Sequence, residues 1–243
     1  MQKKCIFFNV FTNFVAMDNS KKIFNIIVAA GSGSRFGSSL PKQYCELSGL
    51  PVVMHAITKL RKALPSSHII LVISNSYHDL WNELCKKHNF ISPQIVYGGD
   101  TRWQSVRNAI DIIPNDAEII TVHDGARPII DTIMIKRVIE GIKNSSGAIP
   151  VIPITDSIRY INDDGSSSPV DRSKYYAVQT PQAFNAQKLI KAYKLPYNPE
   201  FTDDASVIKA AGNDDISLVE GSIYNIKITN PLDLEIANIY MQQ

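Results

Sequence analysis

A chain of 243 residues with 44% hydrophobic content is long enough to bury a sizeable core and falls in the range of one α/β domain. Its net charge of +2 comes from basic and acidic residues scattered along the chain, which excludes an electrostatic case for a nucleic-acid or membrane partner. Three cysteines, Cys5, Cys45 and Cys85, are odd in number and far apart, so reduced thiols in a cytoplasmic protein are expected rather than a disulfide framework.

Residues 1–22 read as an N-terminal extension, disordered or arising from a non-native start, with Met17 as an alternative first residue. Lys3-Lys4 before Cys5-Ile6-Phe7-Phe8 looks superficially like a signal peptide. Asn9, Thr12 and Asn13 interrupt the apolar run, however, and no small-x-small cleavage site precedes the first strand. No stretch reaches the roughly 18 apolar residues that span a bilayer. A single domain is expected over 23–243.

The short apolar run Ile26 to Ala29 reads as a buried strand and empties into Gly31-Ser32-Gly33-Ser34-Arg35-Phe36-Gly37. Glycines let backbone N–H groups approach an anion, and Arg35 and Lys42 add two positive charges, so the loop is expected to cradle a polyphosphate. It is neither of two familiar cradles. Gly31, Gly33 and Gly37 give G-x-G-x-x-x-G instead of G-x-G-x-x-G, and no Lys-Ser or Lys-Thr follows to make a P-loop.

After Pro51, helical spacing of Val52, Val53, Ala56, Ile57 and Leu60 precedes an apolar strand at His68 to Ile73. A helix through Tyr77, Leu80, Trp81, Leu84 and Cys85 follows, then a strand at Gln94 to Tyr97, a helix from Arg102 to Ile113 and a strand at Glu118 to Val122. This alternation predicts a Rossmann-like three-layer α/β domain whose mainly parallel sheet is covered on both faces. Cys85 and His88 make half of a metal site at most, and with no second pair at ligand spacing no zinc site is expected.

Ligands of such sheets lie beyond the carboxyl ends of the strands. Two further post-strand loops carry charge there: Gly98-Gly99-Asp100-Thr101-Arg102 and His123-Asp124-Gly125-Ala126-Arg127-Pro128. Asp100 reads equally well as a ligand-binding residue and as the N-cap of the helix beginning near Arg102.

Beyond Ile149 to Ile154, alternation through Ile158 to Ile161, an Asp164-Gly165 turn and a second strand through Val170 predict a hairpin arm at about 153–175. A lone hairpin is marginal in water, so the arm is expected to pack on a second copy and make a homodimer. Thr202 to Ser206 reads as a capped helix start. Ile216 to Val219 and Tyr224 to Ile228 read as strands, and Pro231 after Asn230 opens a final helix. Lys227, inside the second of these strands, either meets a polyphosphate or sits on an edge with its ammonium in water.

The loop A-A-G-x-G-x-R-x-G…P-K-Q, from Ala29 to Gln43, resembles that of the sugar-phosphate nucleotidylyltransferases. With G-G-D-T-R-W-Q-S-V, H-D-G-A-R-P, V-D-R, Q-T-P-Q-A-F, T-D-D-A-S and N-I-K-I-T following in order to Thr229, the chain beyond residue 22 is similar to the 2-C-methyl-D-erythritol 4-phosphate cytidylyltransferases of non-mevalonate isoprenoid synthesis. The rival resemblance is to the ribitol-5-phosphate cytidylyltransferases, whose opening loop more often reads L-A-G-G and which usually lack T-D-[DE]-A-S. Loss of catalysis, leaving a nucleotide-binding protein, is a third reading with no positive support. Three positions depart from the usual pattern: Gly125 for alanine, Asp204 for glutamate and Ser157 for threonine.

The resemblance implies CMP transfer from CTP to a sugar-alcohol phosphate, with Mg²⁺ on the triphosphate and no assigned protein ligand. It implies that Arg35 and Lys42 stabilise the transition state and that Arg172 and Lys227 hold the attacking phosphate. By the same resemblance Ala29, Ala30, Gly31, Gly33, Gly98, Gly99, Asp100 and Ser105 would bind the nucleotide, with Asp124 and Gly125 at the ribose. It further implies that Arg127 and Thr180, with Ser157 and Arg172 supplied by the arm of a second copy, would line the sugar-phosphate pocket.

Overall fold

The computed structural model describes residues 21–31, 36 and 40–242. Arg35, Gly33 and the extension over residues 1–20 therefore lie outside the described residues, as does the question of where the chain naturally starts.

In chain order the elements are β1 Ile23–Ala29, the two-residue strands β2 Glu46–Leu47 and β3 Leu50–Pro51, α1 Val52–Ala63, β4 His68–Ile73, α2 His78–Lys87, β5 Gln94–Tyr97, α3 Arg102–Ile110 and β6 Ile119–Asp124. There follow α4 Thr132–Gly141, β7 Gly147–Pro153, β8 Ile158–Ile161, β9 Ser167–Val170, β10 Tyr176–Val178, β11 Gln182–Asn185, α5 Ala186–Ala192, α6 Asp204–Ala210, β12 Ile216–Glu220 and α7 Pro231–Met241.

The central sheet runs β12, β7, then β11 with β10, then β6, β1, β4 and β5. Strands β10 and β11 share one edge of β7. Between Val178 opposite Val151 and Ala183 opposite Ala148, five residues advance against three. Ladders β1–β4, β1–β6, β4–β5 and β7–β12 are parallel, whereas β10 and β11 pair antiparallel. The predicted mainly parallel sheet is thus present, with an antiparallel return on one side.

Why β1 and β4 are continuous apolar runs is plain from the two faces. In β1, Ile23 and Ile27 enter one core with Met54, Ile57 and Leu60 of α1 and Ile135 and Val138 of α4; Phe24 and Ile26 enter the other with Val106 of α3, Leu189 of α5 and Ile208 of α6. Period-two alternation with both faces buried requires apolar side chains at nearly every position. Asn25 is the exception, and its amide is satisfied by Ser67 Oγ at 2.7 Å and Thr121 Oγ1 at 2.7 Å. A third, smaller cluster, with Leu47, Val52, Ile228 and Ala237, seats α7 over the β2–β3 hairpin.

Four expectations change. Tyr224 to Ile228 is not a strand but an irregular segment, fixed by Arg127 Nη1 donating to Asn225 O at 2.8 Å and Ile228 N to Ala126 O at 2.9 Å. The N-cap of α3 is Thr101, whose Oγ1 accepts from Gln104 N at 3.0 Å, and not Asp100. A β-branched hydroxyl one residue nearer the helix has the reach to N3, which leaves Asp100 exposed. Helix α3 stops at Ile110, three residues short of Ile113. Helices α4 and α5 are also present where no element was predicted.

The predicted hairpin is present as β8 and β9, paired with each other and with no other strand among those described. Gly165 takes φ +79° at its turn, a conformation glycine adopts without penalty.

Candidate active site

Because β1, β4, β5 and β6 are mutually parallel, their carboxyl ends open on one side, and a cavity of about 500 Å³ lies there. Ala29, Ala30 and Gly31 from the end of β1, Gly99 and Asp100 after β5, Ser105 of α3, and Asp124 at the end of β6 all line it. Lys42, Gln43, Arg102 and Lys227 bring polar and charged groups to the same wall.

Glycine is required where β5 meets α3. A Cβ on Gly98 would stand 2.4 Å from Ala30 Cβ and 2.8 Å from Ser105 Oγ. Any side chain there would separate the two loops. Ser105 Oγ in turn accepts from Gly99 N at 3.2 Å and donates to Thr101 O at 2.9 Å, so this wall is held by backbone and a short hydroxyl.

The loop after β1 is shaped by a residue to which the motif reading assigned no role. Gln43 is buried, and its amide donates to Ala29 O and Gly31 O, each at 2.8 Å. Its place inside P-K-Q was the available signal. Lys42, immediately before it, opens a 3-10 turn over Lys42–Tyr44 and faces the cavity.

Asp124 is the electrostatic centre. Lys227 Nζ lies 2.9 Å from its Oδ2, Arg127 Nε 3.5 Å from Oδ2, and Arg102 Nε 3.5 Å from Oδ1. Burial alone would raise this carboxyl's pKa, but the three cations outweigh it and hold the group well below the usual carboxylate range. Lys227 thus has a carboxylate partner and remains partly exposed at the cavity wall, outside any strand.

Behind Asp124 stands a neutral histidine. His123 Nε2 is 3.0 Å from Arg127 O, and a carbonyl only accepts, so Nε2 carries the proton. Nδ1 therefore accepts from Thr180 Oγ1 at 3.0 Å, and that hydroxyl accepts from Asp124 N at 3.0 Å. Burial, the largest influence, lowers the His123 pKa from 6.5 to about 4. Thr180 is buried, with its hydroxyl engaged within the chain.

Gly125 sits beside the strand ends with its N–H on Val28 O at 2.9 Å. An alanine methyl there would meet Ala29 Cβ and Val28 O at 3.1 Å, so the departure from alanine relieves a tight contact. Asp204 is buried completely; Arg102 Nη2 approaches its Oδ2 at 2.6 Å and Tyr193 donates to its Oδ1 at 2.6 Å. The shorter carboxylate thus satisfies two partners, one of them a cavity residue that the motif reading left without a role.

Ser157 and Arg172 are not brought to this cavity. Both are exposed on the arm, where Arg172 donates to Thr155 O. Among the described residues no group of three or more His, Cys, Asp or Glu could hold a metal ion, and no helix is long and apolar enough to cross a membrane.

A family model described as 2-C-methyl-D-erythritol 4-phosphate cytidylyltransferase matches residues 23–243. Proteins of that name from Porphyromonas gingivalis and Bacteroides thetaiotaomicron are 40% and 41% identical, over 91% and 88% of this chain and 98% and 96% of their own lengths. Among solved structures, 4-diphosphocytidyl-2C-methyl-D-erythritol synthase from Anaerococcus prevotii superposes with a TM-score of 0.77 at 28% identity, covering 92% of this chain and 99% of that one. The Francisella tularensis 2-C-methyl-D-erythritol 4-phosphate cytidylyltransferase gives 0.73 at 29% identity, over 90% of this chain and 100% of that one. With a family model spanning residues 23–243 and relatives of about 40% identity matched over nearly their whole length, the chain belongs to the 2-C-methyl-D-erythritol 4-phosphate cytidylyltransferase family.

Proposed function

We propose that this protein transfers the CMP group of CTP to 2-C-methyl-D-erythritol 4-phosphate. The products are 4-diphosphocytidyl-2-C-methyl-D-erythritol and pyrophosphate, in non-mevalonate isoprenoid synthesis. One observation carries the reading beyond family membership. The strand-end cavity gathers Lys42, Lys227 and the fixed carboxylate of Asp124 beside the close-approach backbone of Ala29 to Gly31 and Gly99.

A phosphate oxygen of the sugar alcohol, already anionic near neutral pH, attacks the α-phosphorus of CTP. Its new P–O bond forms as the bond to the oxygen bridging to the β-phosphorus breaks, and pyrophosphate leaves with that electron pair. No proton has to be removed from the nucleophile, so the chain's task is alignment and charge neutralisation. Lys42, with Arg35 in the same loop, is assigned to the charge that builds at the α-phosphate. Lys227 and Arg172 are assigned to the incoming phosphate. Backbone at Ala29 to Gly31 and Gly98 to Asp100, with Ser105, is assigned to the base, and Asp124 with Gly125 to the ribose.

Magnesium fits this donor set as an ion carried in with the nucleotide. Asp124 is already engaged by three cations, which favours a Mg²⁺ held by triphosphate oxygens and water over one in a protein cage. When bound it would screen charge on the triphosphate.

The arm supports a homodimer. Its two strands pair only with each other among the described residues, and Tyr160 and Ile161 are 61% and 63% exposed. A second copy covering them would bury apolar surface and supply Ser157 and Arg172 to the neighbouring cavity. Free thiols at Cys45 and Cys85 accord with a cytoplasmic setting.

Pyrophosphate release tests the reading, with CTP and Mg²⁺ and with methylerythritol phosphate and ribitol-5-phosphate offered in parallel. Strong preference for the first supports it. Turnover of ribitol-5-phosphate alone overturns the substrate, and silence with both overturns the enzyme.

A further inference from the structure

Arg102 is the first residue of α3, and its guanidinium bridges two acids far apart in the chain. Nη2 lies 2.6 Å from Asp204 Oδ2, and Nε lies 3.5 Å from Asp124 Oδ1. The far acid is itself immobilised. Asp204 is 0% exposed, begins α6 and takes the Tyr193 hydroxyl on its other oxygen at 2.6 Å; the Tyr193 ring stacks on Trp103 at 5.8 Å between centroids.

The consequence falls on Asp124. Lys227 and Arg127 both address Oδ2, whereas Arg102 addresses Oδ1. Without it the carboxylate is free to rotate towards Lys227. A planar guanidinium that meets two carboxylates in fixed directions is what such a brace requires, and a lysine's point charge lacks that fork.

We propose that Arg102 is a positioning residue for ribose recognition: anchored on Asp204, it sets the orientation in which Asp124 meets the nucleotide's hydroxyls. This deepens the cytidylyltransferase reading and rests on it. Arg102 acts through Asp124, so its loss is expected to fall more heavily on the nucleotide than on the sugar phosphate, which feels it only through Lys227.

The test uses the full chain and the variants Arg102→Met, Arg102→Lys and Tyr193→Phe. Steady-state constants are measured for CTP and methylerythritol phosphate separately, and kcat/KM for CTP is compared with that for 2′,3′-dideoxy-CTP. Thermal melting is followed in parallel. Arg102→Met is expected to raise KM for CTP and shrink the CTP-to-dideoxy ratio by about 10- to 100-fold, the scale of a small misplacement, with a smaller change in KM for the sugar phosphate. Arg102→Lys recovers part of the ratio, and Tyr193→Phe, which removes only the hydroxyl behind Asp204, shifts it less in the same direction.

A folded Arg102→Met protein with an unmoved ratio overturns the proposal, as does a loss shared equally by both substrates. Should Arg102→Met fail to melt cooperatively, an unmoved ratio in both Arg102→Lys and Tyr193→Phe overturns it. Wild-type silence with CTP overturns the cytidylyltransferase reading itself, and this proposal with it.

Discussion

The cavity and the arm contrast sharply in how their charged residues are held. At the cavity, Asp124 is surrounded by Arg102, Arg127 and Lys227, and its backbone is braced through Thr180 and His123. On the arm, Arg172 and Ser157 stand exposed on a hairpin without a strand partner beyond itself among the described residues. The first region is preorganised within one chain, because low-dielectric surroundings make an unpaired charge costly and force every group to find a partner. The second has no such constraint, because water solvates its exposed charges.

The largest break in this comparison comes from the cavity side. Lys42→Ala should cost about 10²–10³ in kcat while leaving the melting temperature nearly unchanged, on the scale of removing one donor to a developing anion. Near wild-type kcat in the folded variant refutes the role.

Mixing subunits sharpens it. If the arm completes a neighbouring site, Lys42→Ala and Arg172→Ala proteins are each nearly inactive, yet their refolded mixture regains turnover, since a heterodimer then contains one intact site and one doubly defective site. A mixture no more active than its components places both residues in the same subunit's site or the arm outside it.

Acid should weaken the cavity before the arm. His123 is held neutral with its pKa lowered from 6.5 to about 4, so between these values the unfolded chain binds a proton that the native state does not. Its contribution is complete above pH 6.5 and is lost as pH falls towards 4, up to about 3 kcal/mol by linkage. Buried His55, lowered chiefly by desolvation, titrates in the same direction. Denaturant titrations at pH 7, 5.5 and 4.5 should show the decline, and His123→Gln should flatten it. An identical pH slope in that variant removes His123 from the account.

The smallest effect is expected at Gly125→Ala. Reduced unfolded-state entropy favours the variant by about 0.4–1 kcal/mol, and a methyl 3.1 Å from Ala29 Cβ opposes it. Stability should change by less than about 1 kcal/mol, as measured by chemical denaturation, and a larger loss would mean that the strand ends cannot yield.

Much of the fold is legible in local pattern. The apolar runs of β1 and β4 announce buried strands, and Asn230 before Pro231 announces α7, where Asn230 and Asp233 form the capping box. Helix α4 carries the same kind of signal, with Met134, Ile135, Val138 and Ile139 at helical spacing. Tyr224 to Ile228 alternates like a strand, but Arg127 and Ala126 fix that segment from outside and leave Lys227 at the cavity wall.

The sequence by itself determined the alternation of strands and helices from β1 to β6, the glycine positions and the charges available at the strand ends, because these follow from local periodicity and short motifs. Tertiary structure alone decided which charges meet. Arg102 and Asp204 are 102 positions apart, and Asp124 gathers cations from α3, its own loop and the segment before α7. No local spacing encodes such contacts; they arise when parallel strands bring their carboxyl ends together and burial forces each charge to be paired.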